Sequence, residues 1–281
     1  MRKVSVNGID RQKGSTLPAV LFALAIVILV VHVVLIFAFR QYAAPAPITA
    51  NAREIDHQFH VTLWLTGVLF VFAQLGLAFA VLRFRDRGRP ARFFPGNNAL
   101  EIFWTSLAVV LFLGLGFLGR RAWAAVRYTG PPSGSIQIEV TGMQFQFVFR
   151  YPGPDGEFGR LDPALISADT GDFLGRDPAS PEGRDDIVTT GTLAVPIDRP
   201  VELLIRSQDV IHSFFVRELR LQQDAVPGLV IPIHFTADKI GKYDIVCTQL
   251  CGLGHQKMHA VLDVMSESDY ENFLRRQAAA Q

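Results

Sequence analysis

The feature that most limits what this chain can become is three long apolar runs within its first 120 residues. Leu17 to Phe39 is broken by a single polar residue, His32. Val61 to Leu82 contains Thr66 and Gln74 but no charge, and Phe103 to Leu118 follows Glu101 and precedes Arg120 and Arg121. At about 1.5 Å per residue the first two reach about 30 Å or more, enough to cross the hydrocarbon core of a bilayer. The third reaches that length if it starts near Asn98. Backbone in lipid must satisfy its own hydrogen bonds, so each run reads as a transmembrane helix. The composition agrees: 49% hydrophobic and 19% charged residues, with a mean hydropathy of +0.26, are too apolar for a soluble enzyme of 281 residues. That length leaves room for one further domain beyond the anchor.

Basic residues set the expected orientation. Arg2, Lys3, Arg11 and Lys13 precede the first run, and Arg83, Arg85, Arg87, Arg89 and Arg92 face a lone Asp86 between the second and third. The loop between the first two runs has only Arg40 and Arg53. The positive-inside bias places the N-terminus (1–16) and the arginine loop (83–97) in the cytoplasm. The spans are then 17–39, 61–82 and 98–119, with 40–60 and everything after the third span outside. Ala50-Asn51-Ala52 forms an A-x-A-like processing site, but the first run exceeds a usual signal core, so retention is the expectation. A net charge of +1 gives no reason to expect nucleic acid as a partner.

From Ser135 the pattern changes to short β-branched and aromatic runs between Gly and Pro. Ile136–Thr141, Phe145–Tyr151, Thr192–Pro196, Val201–Arg206, Ser213–Val216, Leu229–Ala237, Lys242–Cys247 and Met258–Val264 read as strands. The expected class is membrane α plus all-β: three helices, then a Greek-key β-sandwich over 135–265. A short helix over 266–281 should follow, with Ser268 to Glu271 as its capping box and Tyr270, Phe273 and Leu274 as its apolar face. Residues 155–186 read as an irregular insertion in which nine acids oppose three arginines, a net of −6.

The chemistry is concentrated in Cys247-Thr-Gln-Leu-Cys251-Gly-Leu-Gly-His255-Gln-Lys-Met258. A thiolate, an imidazole and a thioether on one loop between strands, with a second histidine from elsewhere, make a soft copper electron-transfer site. His212, at the start of a strand, is the natural second histidine. A mononuclear site has no use for Cys247, whereas two thiolates can bridge two metal ions, each of which then takes one histidine. Two other readings compete. A Cys247–Cys251 disulfide would leave the histidine and methionine spacing unexplained, and zinc makes little use of methionine. His234 and His259 read as ordinary sheet residues.

The pattern Cys-x3-Cys-Gly-x2-His-x2-Met resembles subunit II of haem-copper cytochrome c oxidases, the copper-A domain family. The likeness runs from about Val61 to Phe273 and takes in Glu101-Ile-Phe-Trp104-Thr105, Phe149-Arg-Tyr-Pro152, Asp209 to Phe214, Asp224-Ala-Val-Pro227-Gly228 and Gly241-Lys-Tyr243. It implies a cupredoxin-like fold and a two-copper centre held by His212, Cys247, Cys251, His255, Met258 and the backbone carbonyl of Gln249. It also implies electron entry near Phe145 and Phe147, a proton-pathway mouth at Glu101, and an approach of Asp224 to subunit I. The implied partners are subunit I with the other oxidase subunits, cytochrome c as donor, and lipid. The implied location is a bacterial inner membrane, with the copper domain on the periplasmic side.

Three departures stand out. Gln249 replaces a glutamate that helps bind magnesium, so a complete magnesium site is not expected. The usual tryptophan of the entry patch is absent, and the first span is additional to the family's two. Copper-A domains also serve some nitric oxide reductases, and the sequence alone does not separate the two acceptors. A structural or assembly subunit would lack the ligands, and a copper chaperone would want a βαβ pattern.

Overall fold

A computed structural model describes residues 16–39, 44–85, 93, 95–167 and 169–281. The basic residues Arg2, Lys3, Arg11, Lys13, Arg40, Arg87, Arg89 and Arg92 lie outside the described residues. Three helices, α1 (Thr16–Ala38), α2 (Ala50–Arg83) and α3 (Asn98–Arg127), are each long and apolar enough to cross a membrane. Large apolar side chains such as Phe22, Phe72 and Phe112 point outward, as on helices whose solvent is lipid. α1 meets α2 through Ala23, Ile26, Val30 and Ala78, where alanines let the backbones approach. The chain forms two compact units. One contains α1 and Phe59–Phe117, the other Ala44–Gln58 and Leu118–Gln281.

The second unit is a sandwich of two five-stranded sheets. Its strands are β1 (Ile136–Met143), β2 (Gln146–Tyr151), β3 (Ile187–Thr190), β4 (Thr192–Pro196), β5 (Pro200–Ser207), β6 (His212–Val216), β7 (Leu221–Ala225), β8 (Ile231–Thr236), β9 (Gly241–Cys247) and β10 (His259–Met265). One sheet runs β3-β2-β1-β5-β8 and the other β4-β10-β9-β6-β7. β1 pairs in parallel with β5, and β4 with β10, so strands distant in sequence lie side by side as in a Greek-key sandwich. Alternating residues such as Val201, Leu203 and Ile205 point inward, where each gains about 1.5–3 kcal/mol from burial.

Tyr151 joins the sheets. Its fully buried hydroxyl donates to the Ala194 carbonyl (3.2 Å) and accepts from the Ala194 N–H (2.8 Å). Its ring meets Tyr270 and Phe273 of α4 (Glu267–Ala278). The cap of α4 is Ser266, which accepts from Asp269 N–H at 3.2 Å, two residues earlier than the capping box expected from sequence.

The insertion is more ordered than its composition suggests. Arg150, 2% exposed, donates to Glu139 (2.7 Å), Asp186 (2.9 Å) and the Gly159 carbonyl (2.8 Å), and stacks on Phe158. The insertion is thereby pinned to β2. Asp162, Asp172 and Asp177 accept main-chain N–H groups of their own turns. Two strands were not expected. β3 follows the insertion directly, and β7 is a polar edge strand with only Leu221 and Ala225 buried.

A further contribution comes from before α2. Ile48, 2% exposed, belongs to the sandwich core, its N–H donating to Glu218 O (3.1 Å) and its carbonyl accepting from Asp238 N–H (2.9 Å). Arg220 holds Asp56 (2.8 Å) and the Pro45 carbonyl (2.6 Å), and Arg53 pairs with Asp238 at 2.6 Å. Thr49 caps α2 by accepting from Ala52 N–H, so the A-x-A-like site lies in a helix's first turn with Ala52 fully buried.

Candidate metal centre

The site lies at one end of the sandwich, where β6 begins and where the loop from Thr248 to Met258 joins β9 to β10. His212, Cys247 and Cys251 are all buried, and one ligand atom from each lies within 4.8 Å of the others. The two sulfurs stand 4.0 Å apart, about twice the length of a disulfide bond. Cys251 Sγ is 3.8 Å from Met258 Sδ and 3.6 Å from His255 Nδ1. The Gln249 carbonyl is 3.2 Å from Cys247 Sγ. All six residues picked out in the sequence therefore gather at one place.

The fold explains the gathering. Cys247 ends β9, where its N–H donates to Met258 O (3.2 Å), fixing both ends of the loop. A short helical turn, His255–Lys257, aims His255 back toward Cys251, its N–H donating to Gly252 O at 3.1 Å. His212 is held from behind. Its Nε2–H donates to Asp209 Oδ1 (2.7 Å), the carboxylate–histidine pairing that orients metal-binding imidazoles. Asp209 also accepts from the N–H groups of Gln144 (2.8 Å) and Val210 (2.6 Å). Burial would raise Asp209, but these bonds outweigh it and hold the carboxyl below its ordinary range. Gly142 makes room for the ring, since a Cβ there would stand 3.0 Å from His212 Cβ.

These residues fit a soft metal. Among the described residues, His212 Nδ1 is a buried nitrogen without a hydrogen-bond partner, a costly state unless something else takes its lone pair. Two thiols, two imidazoles and a thioether form a copper-type donor set. Burial, and then the neighbouring Cys247, push the Cys251 thiol up to about 11, so an incoming metal must displace its proton.

The remaining expected residues are dispersed. Phe145 is 38% exposed beside the loop, its ring against Gly252 and Gly254. Phe147 is a correction to the expected surface patch. It lies on the inward face of β2, 1% exposed and edge-on to Phe214, so it cannot meet a partner directly. Asp224 is exposed on β7 opposite Ser213, and Glu101 is exposed in the first turn of α3. His234 and His259 sit on β8 and β10, outside the cluster. Asp209, Gln144 and Gly142 were not singled out as site residues. The one available signal was an aspartate three residues before His212.

A membrane-anchored β-sandwich carrying buried thiol, imidazole and thioether groups at one end defines a class: tethered soft-metal domains. The model for the periplasmic domain of cytochrome c oxidase subunit II matches residues 173–265. The chain is 37% identical to an alternative cytochrome c oxidase subunit 2 of Bradyrhizobium diazoefficiens, over 82% of this chain and 83% of that one. It is 29% identical to a cytochrome c oxidase subunit 2 of Cereibacter sphaeroides, over 80% and 78%. A crystal structure of the periplasmic domain of subunit II from Bradyrhizobium japonicum aligns at 23% identity and a TM-score of 0.40, covering 54% of this chain and 99% of that domain. The chain belongs to the cytochrome c oxidase subunit 2 family.

Proposed function

We propose that this chain is the electron-entry subunit of a terminal cytochrome c oxidase. It takes electrons one at a time from cytochrome c and delivers them to the haem of subunit I, which reduces O2 to water with proton pumping. The observation that carries this reading is the buried His212–Cys247–Cys251 cluster with His255 and Met258 on the same loop. Two copper ions would be held by Cys247, Cys251, His212, His255, Met258 and the carbonyl of Gln249. Copper bound by these thiols and imidazoles would supply a one-electron couple.

The residues around the site have the following parts. Asp209 fixes the His212 ring so that Nδ1 faces the sulfurs. Met258 and the apolar core behind it keep water from the buried side. Phe145 offers an exposed aromatic edge for electron entry. The acidic insertion steers a basic donor toward that end, an effect that salt should screen. Glu101 is the mouth of a proton pathway, and Asp224 approaches subunit I. Magnesium is not part of the proposal, because Gln249 offers a neutral amide. The β unit lies on the periplasmic side of a bacterial inner membrane, in accordance with the arginine-rich loop between α2 and α3.

The test is metal analysis, EPR and turnover of the purified oxidase containing the full chain. Two coppers per chain with a mixed-valence signal, and O2 consumption driven by cytochrome c that weakens with salt, are expected. A zinc-loaded, colourless site would overturn the metal assignment. Consumption of NO but not O2 would overturn the acceptor.

A further inference from the structure

We infer that Gln144 is a positioning residue that locks the electron-entry turn onto both halves of the metal centre. The inference rests on the copper reading above. Gln144 lies between β1 and β2, in the sheet that carries none of the cysteines. Its main-chain N–H donates to Asp209 Oδ2 at 2.8 Å, while the other oxygen of that carboxylate accepts from His212 Nε2 at 2.7 Å. Its side-chain Nε2–H donates to the carbonyl of Cys251 at 2.6 Å. One residue thus reaches the strand that supplies His212 and the loop that supplies the sulfurs.

The surroundings are shaped to permit this. The residue facing Gln144 is Gly252, where a Cβ would come within 2.8 Å of Nε2. At Gly254 a Cβ would come within 2.4 Å of the Phe145 ring. Two glycines in the metal loop therefore admit the amide and the neighbouring aromatic ring into contact. A surface glutamine ordinarily keeps its rotamer freedom, so freezing it needs a compensating bond. The amide orientation is fixed by chemistry, because a carbonyl oxygen can only accept.

The consequence is a bonded route. From Phe145 the backbone leads to Gln144, along its side chain, across one hydrogen bond to the Cys251 carbonyl, and through bonded atoms to the Cys251 sulfur. Tunnelling decays more slowly through bonds and hydrogen bonds than across gaps. Each entry event oxidises one cytochrome c by one electron and reduces the copper centre by one. Gln144 sets how well the exposed ring is coupled to that centre, while docking is left to the surface.

The experiment uses the assembled oxidase with Gln144→Met, similar in length but without the donor, and Gln144→Glu, which turns the donor into an acceptor. Single-turnover electron entry from reduced cytochrome c should slow severalfold, because the step across the hydrogen bond becomes a step across a gap. The KM for cytochrome c should stay nearly unchanged, copper should remain at two per chain, and the EPR hyperfine pattern should shift. Gln144→His, which restores an N–H of similar reach, should recover most of the rate. Wild-type rate and spectrum in Gln144→Met would overturn the inference, as would a rise in KM that accounts for the whole loss. Copper loss in the Met and Glu variants with retention in the His variant would support it, and copper loss in all three would count against it. A missing two-copper signal in the unaltered complex would instead overturn the copper reading itself.

Discussion

His212 and His255 approach the same pair of sulfurs from contrasting kinds of structure. His212 is fully buried at the start of a strand, backed by Asp209 and laid over Gly142. His255 is half-buried on a short helical turn, its ring contacts Cys251, and among the described residues no carboxylate is hydrogen-bonded to it. One imidazole is a fixed wall and the other sits on a loop that can be reached from solvent. The difference teaches that the centre is preorganised from the strand side and completed from the loop side.

The largest expected effect removes what both sides share. Cys251→Ser should lower the copper count from two to at most one and abolish the mixed-valence signal, read by metal analysis and EPR. Glycine in place of each histidine then tests the asymmetry directly. Both variants should lose the native spectrum, but added imidazole should restore it in His255→Gly and not in His212→Gly. Equal rescue of the two would erase the contrast between the histidines. Next, Asp209→Asn should weaken copper binding roughly 10–100-fold by freeing the His212 ring, measured by chelator competition. Met258→Leu should keep two coppers and move the reduction potential, as seen in a redox titration. The smallest effect belongs to Gly142→Ala, where a methyl crowds His212. A loss of about 1 kcal/mol and a Tm lower by about 2–4 °C are expected, with a slight spectral change.

Much of this site is legible in the sequence, because the loop's chemistry is local. Cys247, Cys251, His255 and Met258 lie within twelve residues, and their spacing alone brings them together. The three spans were legible for a similar reason, since a run of apolar residues needs no partner to be recognised. What escaped depends on contacts between distant segments. Nothing near Gln144 in sequence says that it will meet Asp209 and Cys251, and Gly142 gains its meaning only beneath His212. Phe147 was misplaced for a subtler reason. Period-two alternation does not say which face is inward, and Phe214 from the opposite sheet decides it. β7 was missed because an edge strand can be polar on most positions, and the cap of α4 is Ser266 because Asp269, not Glu271, completes it.

Ile48 carries a consequence for biogenesis. It precedes α2, yet it fills a place in the hydrophobic interior of a sandwich whose strands all follow α3. The ribosome therefore releases the first piece of that interior long before the rest, with two apolar helices synthesised in between. The sandwich can close fully only once those helices have been threaded and the early piece has been brought back to it. A recombinant fragment starting at Ser135 would lack this plug and should melt at a lower temperature than the same fold within the whole chain.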